Sequence, residues 1–183
     1  MKMQFNSFLN LAMNRRSCRK FKPDRIPRET MLSIIDAGRW VPSAHNDQNT
    51  VSIWITDDEK KQRLRKQCNM LFKMSDDFDP FWGAPEVVAV LAKPTGDPSV
   101  SIMDGSLVMG NMILAAEAMG LGSCWVNSLQ WNTEGVLDLT EDIVPMHGAD
   151  EGPYIGVGIL VLGYRDGECP KPLERKPMRI FEV

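Results

Sequence analysis

The 183-residue chain has only two histidines, His45 and His147, and they lie far apart. That excludes a histidine-rich metal centre and leaves any Ser–His–Asp triad resting on one of the two. No G-x-x-x-x-G-K-[ST] run occurs, which excludes a P-loop. Gly120-x-Gly122 lacks a third glycine at position 125, and Gly156-x-Gly158 opens a strand pattern where a dinucleotide fingerprint would follow one. The cysteines, Cys18, Cys68, Cys124 and Cys169, are about evenly spread with no C-x-x-C pair, unlike zinc or iron–sulfur ligands. Long apolar runs are missing as well. The longest aliphatic run, Val87 to Ala92, is far short of the ~20 residues a membrane span needs. The opening MKMQFNSFLNLAMNRRS is broken by Gln4, Asn6, Ser7 and Asn10 and has no small-residue cleavage site. The expectation is a cytoplasmic protein with four reduced thiols, no metal and no membrane contact.

What is present is ordinary in bulk and uneven in detail. Hydrophobic residues make up 43% and charged residues 25%, a globular composition, and the length suits one domain spanning 1–183. The net charge of −3 argues against a nucleic-acid partner. Positions 1–42, however, hold nine Lys/Arg and three Asp/Glu, positions 43–170 hold eight and nineteen, and positions 171–183 hold four and two. Both ends are basic around an acidic middle.

Phe5, Phe8, Leu9 and Ala12 follow the spacing of a first helix. Pro27 and Glu29 mark the start of a second, with Met31, Leu32, Ile34 and Ile35 as its buried face, ending before Pro42. A polar loop over 42–49 leads into alternating Val51, Ile53 and Ile55, a half-buried strand. Thr56 to Glu59 reads as a capping box opening a helix to about Met70. Residues 75–85 and 93–99 read as loops, and Val87 to Ala92 as a central strand. Asp104 to Met119 is an all-round apolar helix, suited to burial or a subunit interface and stopped by Gly120 and Gly122. A strand over 123–128, a short helix over 133–139 and a strand over 157–164 complete an α+β pattern.

Three constellations offer chemistry. Arg15, Arg16, Ser17 and Arg19 concentrate guanidiniums and a hydroxyl, a ready phosphate or carboxylate site; the competing reading is a solvated helix end. Ser43, Asn46 and Gln48 set a hydroxyl and two amides on one loop, able either to grip a heterocycle edge or to satisfy their own backbone. Arg175-Lys176 is a second cationic patch or simply a basic tail. Trp40, Trp54, Trp82, Trp125 and Trp131 would line a flat ligand site or the core. A hydrolase built on Ser43 and His45 lacks an indicated acidic partner.

Taken in order, Arg15-Arg16-Ser17-Cys18-Arg19-Lys20-Phe21, Ile26-Pro27-x-Glu29, Ala37-Gly38-x-Trp40-x-Pro42-Ser43-Ala44-x-Asn46-x-Gln48, Gly83-Ala84-Pro85, the segment Asn111 to Gly122, and Leu162-Gly163-Tyr164 with Arg175-Lys176-Pro177 resemble the FMN-dependent nitroreductase family. The resemblance implies a three-layer α+β fold with a central mixed, mostly antiparallel sheet flanked by helices. It implies a homodimer with FMN at each of two interface sites. Arg15, Ser17 and Arg175, with Arg16 in the same cluster, would hold the phosphate and ribityl chain. Arg19 would approach the pyrimidine end. Ser43, Ala44, Asn46 and Gln48 would contact flavin from the partner subunit. The strand end Trp125, Val126, Asn127 and Ser128 would lie along the ring, with a backbone N–H addressing flavin N5 and no catalytic side chain. The implied reaction is hydride transfer from NADH or NADPH and ping-pong reduction of a nitroaromatic or quinone. Its alternatives are reductive dehalogenation, flavin-dependent dehydrogenation, or flavin binding with little turnover. The side-chain bulk of Asn127-Ser128 departs from the family's glycines, and such bulk could alter substrate access.

Overall fold

The computed structural model describes residues 7–141, 153–168 and 170–182. His147 and Cys169 therefore lie outside the described residues.

The sheet is built around two strands that are apolar at nearly every position. β2 (Glu86–Ala92) is buried at all seven residues, and β4 (Ile155–Gly163) at all but its first. Such strands need cover on both faces. β1 (Thr50–Ile55) and β3 (Gly122–Val126) flank them in the order β1-β2-β4-β3, and every named pair is antiparallel. The expected parallel component shrinks to an isolated bridge, Ser17 with Ser123, where Cys18 N–H donates to the Ser123 carbonyl at 2.8 Å. This bridge covers the free edge of β3 and holds the Arg15–Arg19 segment against the sheet.

The helices form the outer layers. Val87, Ala89 and Leu91 face a core shared with Leu64, Cys68, Val136 and Leu139, from α3 (Asp58–Phe72) and α5 (Thr133–Thr140). Val88, Val90 and Ala92 face Met31 and Ile34 of α2 (Arg28–Gly38) and Val108, Met109 and Met112 of α4 (Pro98–Ala118). A bulge opposite Val90 and Leu91 places Val157 and Ile159 of β4 on opposite faces, although they are two residues apart. α1 (Ser7–Asn14) buries no residue, and Phe8 is 59% exposed, against the buried face its spacing suggests.

Element ends show where sequence signals compete. α3 is capped by Asp57, whose carboxylate accepts from Lys60 N–H at 2.8 Å; Thr56, expected as the cap, lies outside. α4 begins at Pro98, six residues before the expected start, because Asp97 caps it and proline suits the first helical position. Its other end closes at Gly120 with φ of +74°, where Gly120 N–H reaches Glu117 O at 3.0 Å and Leu121 N–H reaches Ala116 O at 2.9 Å. Leu32 of α2, expected inside, is exposed. Among the described residues α4 alone is long and apolar enough to cross a membrane, and here it packs on α2 and β4. A Cβ on Gly105 would stand 2.5 Å from Val157 Cγ2, so α4 lies close over β4.

Candidate functional site

The chain leaves α1 through Arg15 and Arg16 and then runs along β3. Phe21 bridges to Arg165, and Lys22 N–H donates to Tyr164 O at 2.9 Å. The C-terminal segment returns to the same place. Arg15, Arg16, Ser17 and Arg19 line a cleft of about 290 Å³ with Pro170, Lys171, Leu173 and Arg175. The two basic ends of the chain thus converge. Among the described residues no carboxylate pairs with Arg15, Arg16, Arg19 or Arg175.

The four cations are not equivalent. Arg16 turns back, its Nη1 donating to Met13 O at 2.7 Å and Arg15 O at 2.6 Å, while its buried Nε has no partner among the described residues. It thereby satisfies a carbonyl at the end of α1, the helix-end reading, while still bordering the cleft. Arg19 lies over the Trp82 ring at 5.3 Å. Trp82 is held with φ of +51° by the Asp79 turn, where Asp79 accepts from Phe81 N–H at 2.9 Å and Gly83 N–H at 2.6 Å. Burial pushes the Cys124 thiol upward, against the nearby charge of Arg19 and a hydrogen bond with Ser17.

Ser43, Asn46 and Gln48 lie elsewhere, in clefts that share no lining residue with the Arg15–Arg175 cleft. One cleft, about 290 Å³, is formed by Arg39, Trp40, Val41, Asn46 and Gln48. The loop makes a single 3-10 turn over Ala44–Asn46, and His45, Asn46 and Gln48 all have positive φ. Each such non-glycine residue costs roughly 1 kcal/mol. Ser43 Oγ accepts from Gln48 N–H at 3.0 Å, and Gln48 Nε2 donates to Asn46 Oδ1 at 3.2 Å. Ala44 N–H donates to the Asp104 carboxylate, 3.2 Å from each oxygen.

The β3 end shows where the side chains of Asn127 and Ser128 lie. Ser128 is fully buried, with its hydroxyl 3.0 Å from Cys68 Sγ, so its bulk points into the core. Burial pushes the Cys68 thiol up, and the Ser128 hydrogen bond opposes this. Only Asn127 is exposed, its Oδ1 3.4 Å from Trp125 Nε1. Val126 is buried, and Trp125 packs partly buried beside the α2–α4 core. Trp40 and Trp131 are exposed, so the tryptophans form neither one core nor one ligand wall.

Sequence reading missed Asp104 and Glu86. Glu86 is fully buried, 3.1 Å from Arg25 Nε, and accepts from Ile26 N–H at 3.2 Å and Trp54 Nε1 at 2.8 Å. The available signal was a lone carboxylate within an otherwise apolar segment.

A sequence model of the nitroreductase family matches residues 12–164. The chain belongs to the nitroreductase family. Curated relatives include a Cr(VI) reductase of Pseudomonas sp. (strain G-1), 26% identical over 78% of this chain and 64% of its own length. Another is an FMN reductase (NADPH) of Bacillus subtilis (strain 168), 26% identical over 80% of this chain and 66% of its own. The chain thus spans just under two thirds of the length of these two relatives. Among solved structures, a nitroreductase from Bacteroides fragilis NCTC 9343 with bound FMN is 25% identical and covers 98% of this chain and 100% of its own, with a TM-score of 0.79. The observed α+β architecture is the nitroreductase fold.

Proposed function

We propose that this nitroreductase-family chain is an FMN-dependent oxidoreductase that takes hydride from NADH or NADPH and reduces a second small molecule, nitroaromatic or quinone in type, in ping-pong fashion. The observation that carries this reading is the cleft in which Arg15, Ser17 and Arg19 meet Lys171 and Arg175 from the other end of the chain. Guanidiniums with no carboxylate partner among the described residues, a hydroxyl and the orphaned Nε of Arg16 are the donor set a phosphate monoester requires, so these residues fit FMN. The family membership and the FMN named with the Bacteroides structure support the same ligand.

When bound, FMN supplies the hydride chemistry. The chain's task is to hold and orient it. Arg15, Ser17 and Arg175 take the phosphate end. Arg19, fixed by Trp82, brings a positive charge toward the electron-accepting ring. The turn after β3 offers a backbone N–H of Asn127 or Ser128 to flavin N5, and Ser128's own side chain stays with Cys68. Ser43, Ala44, Asn46 and Gln48 contact the flavin of a second copy, which accords with their clefts being separate from the Arg15–Arg175 cleft. The exposed Phe8 and Met13 of α1 and Met103 and Leu107 of α4 give a homodimer apolar surface to cover. The same proposal takes residues 1–183 as one domain acting in the cytoplasm.

The test is an anaerobic spectrum of the FMN-loaded protein titrated with NADH and NADPH, followed by a panel of nitroaromatic and quinone acceptors. Bleaching and acceptor-dependent recovery of the yellow colour are expected, with sedimentation at twice the chain mass. A loaded protein that neither nicotinamide bleaches would overturn the NAD(P)H reaction.

A further inference from the structure

α4 is apolar on nearly every side, yet it carries Asp104 one turn before Val108. Asp104 is only 7% exposed, and among the described residues no Lys or Arg pairs with it. A buried carboxylate is unfavourable unless hydrogen-bonded. The donor it meets is Ala44 N–H, shared between its two oxygens. That N–H opens the turn in which His45, Asn46 and Gln48 take left-handed backbone. Such conformations persist only where the surroundings over-determine them. The far end of the loop is tied by an exposed bond, Thr95 Oγ1 to Asp47 at 2.8 Å, and a half-buried one, Asn49 Nδ2 to Lys93 O at 2.8 Å. At its start the tie comes from inside the fold. α4 is fixed against α2 there, with Asn111 Nδ2 donating to Ala37 O at 3.1 Å and Val108 packed against Gly38.

We propose that Asp104 is a positioning residue. Its buried carboxylate anchors Ala44 and holds the 43–48 loop in the strained form that presents Ser43, Asn46 and Gln48 to the flavin. The flavin part of this inference rests on the function proposed above; the hold on the loop does not. A charged acceptor is stronger than a neutral one, so Asp104→Asn should keep the geometry and lose part of the grip.

Two measurements on the full chain test it. The first is amide hydrogen exchange of the flavin-free protein. Asp104→Ala should speed exchange at Ala44 and Gln48 by about tenfold or more, the expected effect of losing a charge-assisted bond, while β2 and β4 stay protected. Asp104→Asn should fall between it and wild type. The second is FMN affinity, which should weaken about tenfold in Asp104→Ala and recover in part in Asp104→Asn. Gln48→Ala should cost less on the Asp104→Ala background than alone, because the loop is already released. Unchanged exchange at Ala44, unchanged FMN affinity despite faster exchange, or strictly additive losses would each overturn the proposal. If Asp104→Ala does not fold, Asp104→Asn decides by the same readings. If wild type binds no FMN, the flavin reading fails, and exchange at Ala44 still judges the hold on the loop.

Discussion

Individual charges decide more here than the bulk composition suggests. Glu86 sits at the start of the central strand with no solvent exposure, and Arg25 is its cationic partner. Ile26 N–H and Trp54 Nε1 supply the remaining donors. Removing Arg25 strands a buried charge on two neutral donors. We predict that Arg25→Ala lowers stability by roughly 2–3 kcal/mol in urea unfolding. Adding Glu86→Gln to it should restore part of the loss, because the charge that needed Arg25 is then gone. Equal losses in the single and double variants would contradict this. Neither Glu86 nor Asp104 was legible in the sequence. A carboxylate in an apolar run looks like any polar interruption until the partner arrives from another element. Arg16 is the converse case. Its place in a basic cluster was plain, but only the structure separates its bonds to Met13 and Arg15 from the role of Arg15 itself.

At the level of elements, the strongest apolar patterns were legible. β2 and α2 lie where their periodicities put them, and the glycine stop of α4 is a hydrogen-bonded cap. The misread places are those where one residue type carries two meanings. Pro98 reads as a breaker after Pro94, yet it opens α4 because Asp97 precedes it. Phe8 and Leu32 have core-like spacing but face outward, since periodicity reports an apolar face and not what covers it. Close approach was also hidden. Gly105 lets α4 lie against Val157 of β4. We predict that Gly105→Ala, despite alanine's better helix propensity, destabilises the protein by about 1–3 kcal/mol in thermal unfolding. A stabilised Gly105→Ala variant would show that Val157 yields freely and that the packing is looser than described.

Across the whole molecule, the charge asymmetry of the sequence becomes a place. The β3 edge holds the Arg15–Arg19 segment, and the C-terminal segment brings Lys171 and Arg175 to it, making one cleft from both basic ends. The Ser43–Gln48 loop belongs to separate clefts, and Asp104 ties it to α4. The resemblance already grouped Arg15, Ser17 and Arg175 apart from the Ser43–Gln48 loop; the fold adds the cleft that both chain ends line. The most direct measurement compares FMN with riboflavin, the same ring system without the phosphate, by fluorescence titration of wild type and of Arg15→Ala/Arg175→Ala. Wild type should prefer FMN by about 100-fold or more, and the double substitution should erase most of that preference while leaving riboflavin affinity unchanged. Equal affinities in wild type, or a preference the double substitution does not move, would contradict the assignment of this cleft to the flavin phosphate.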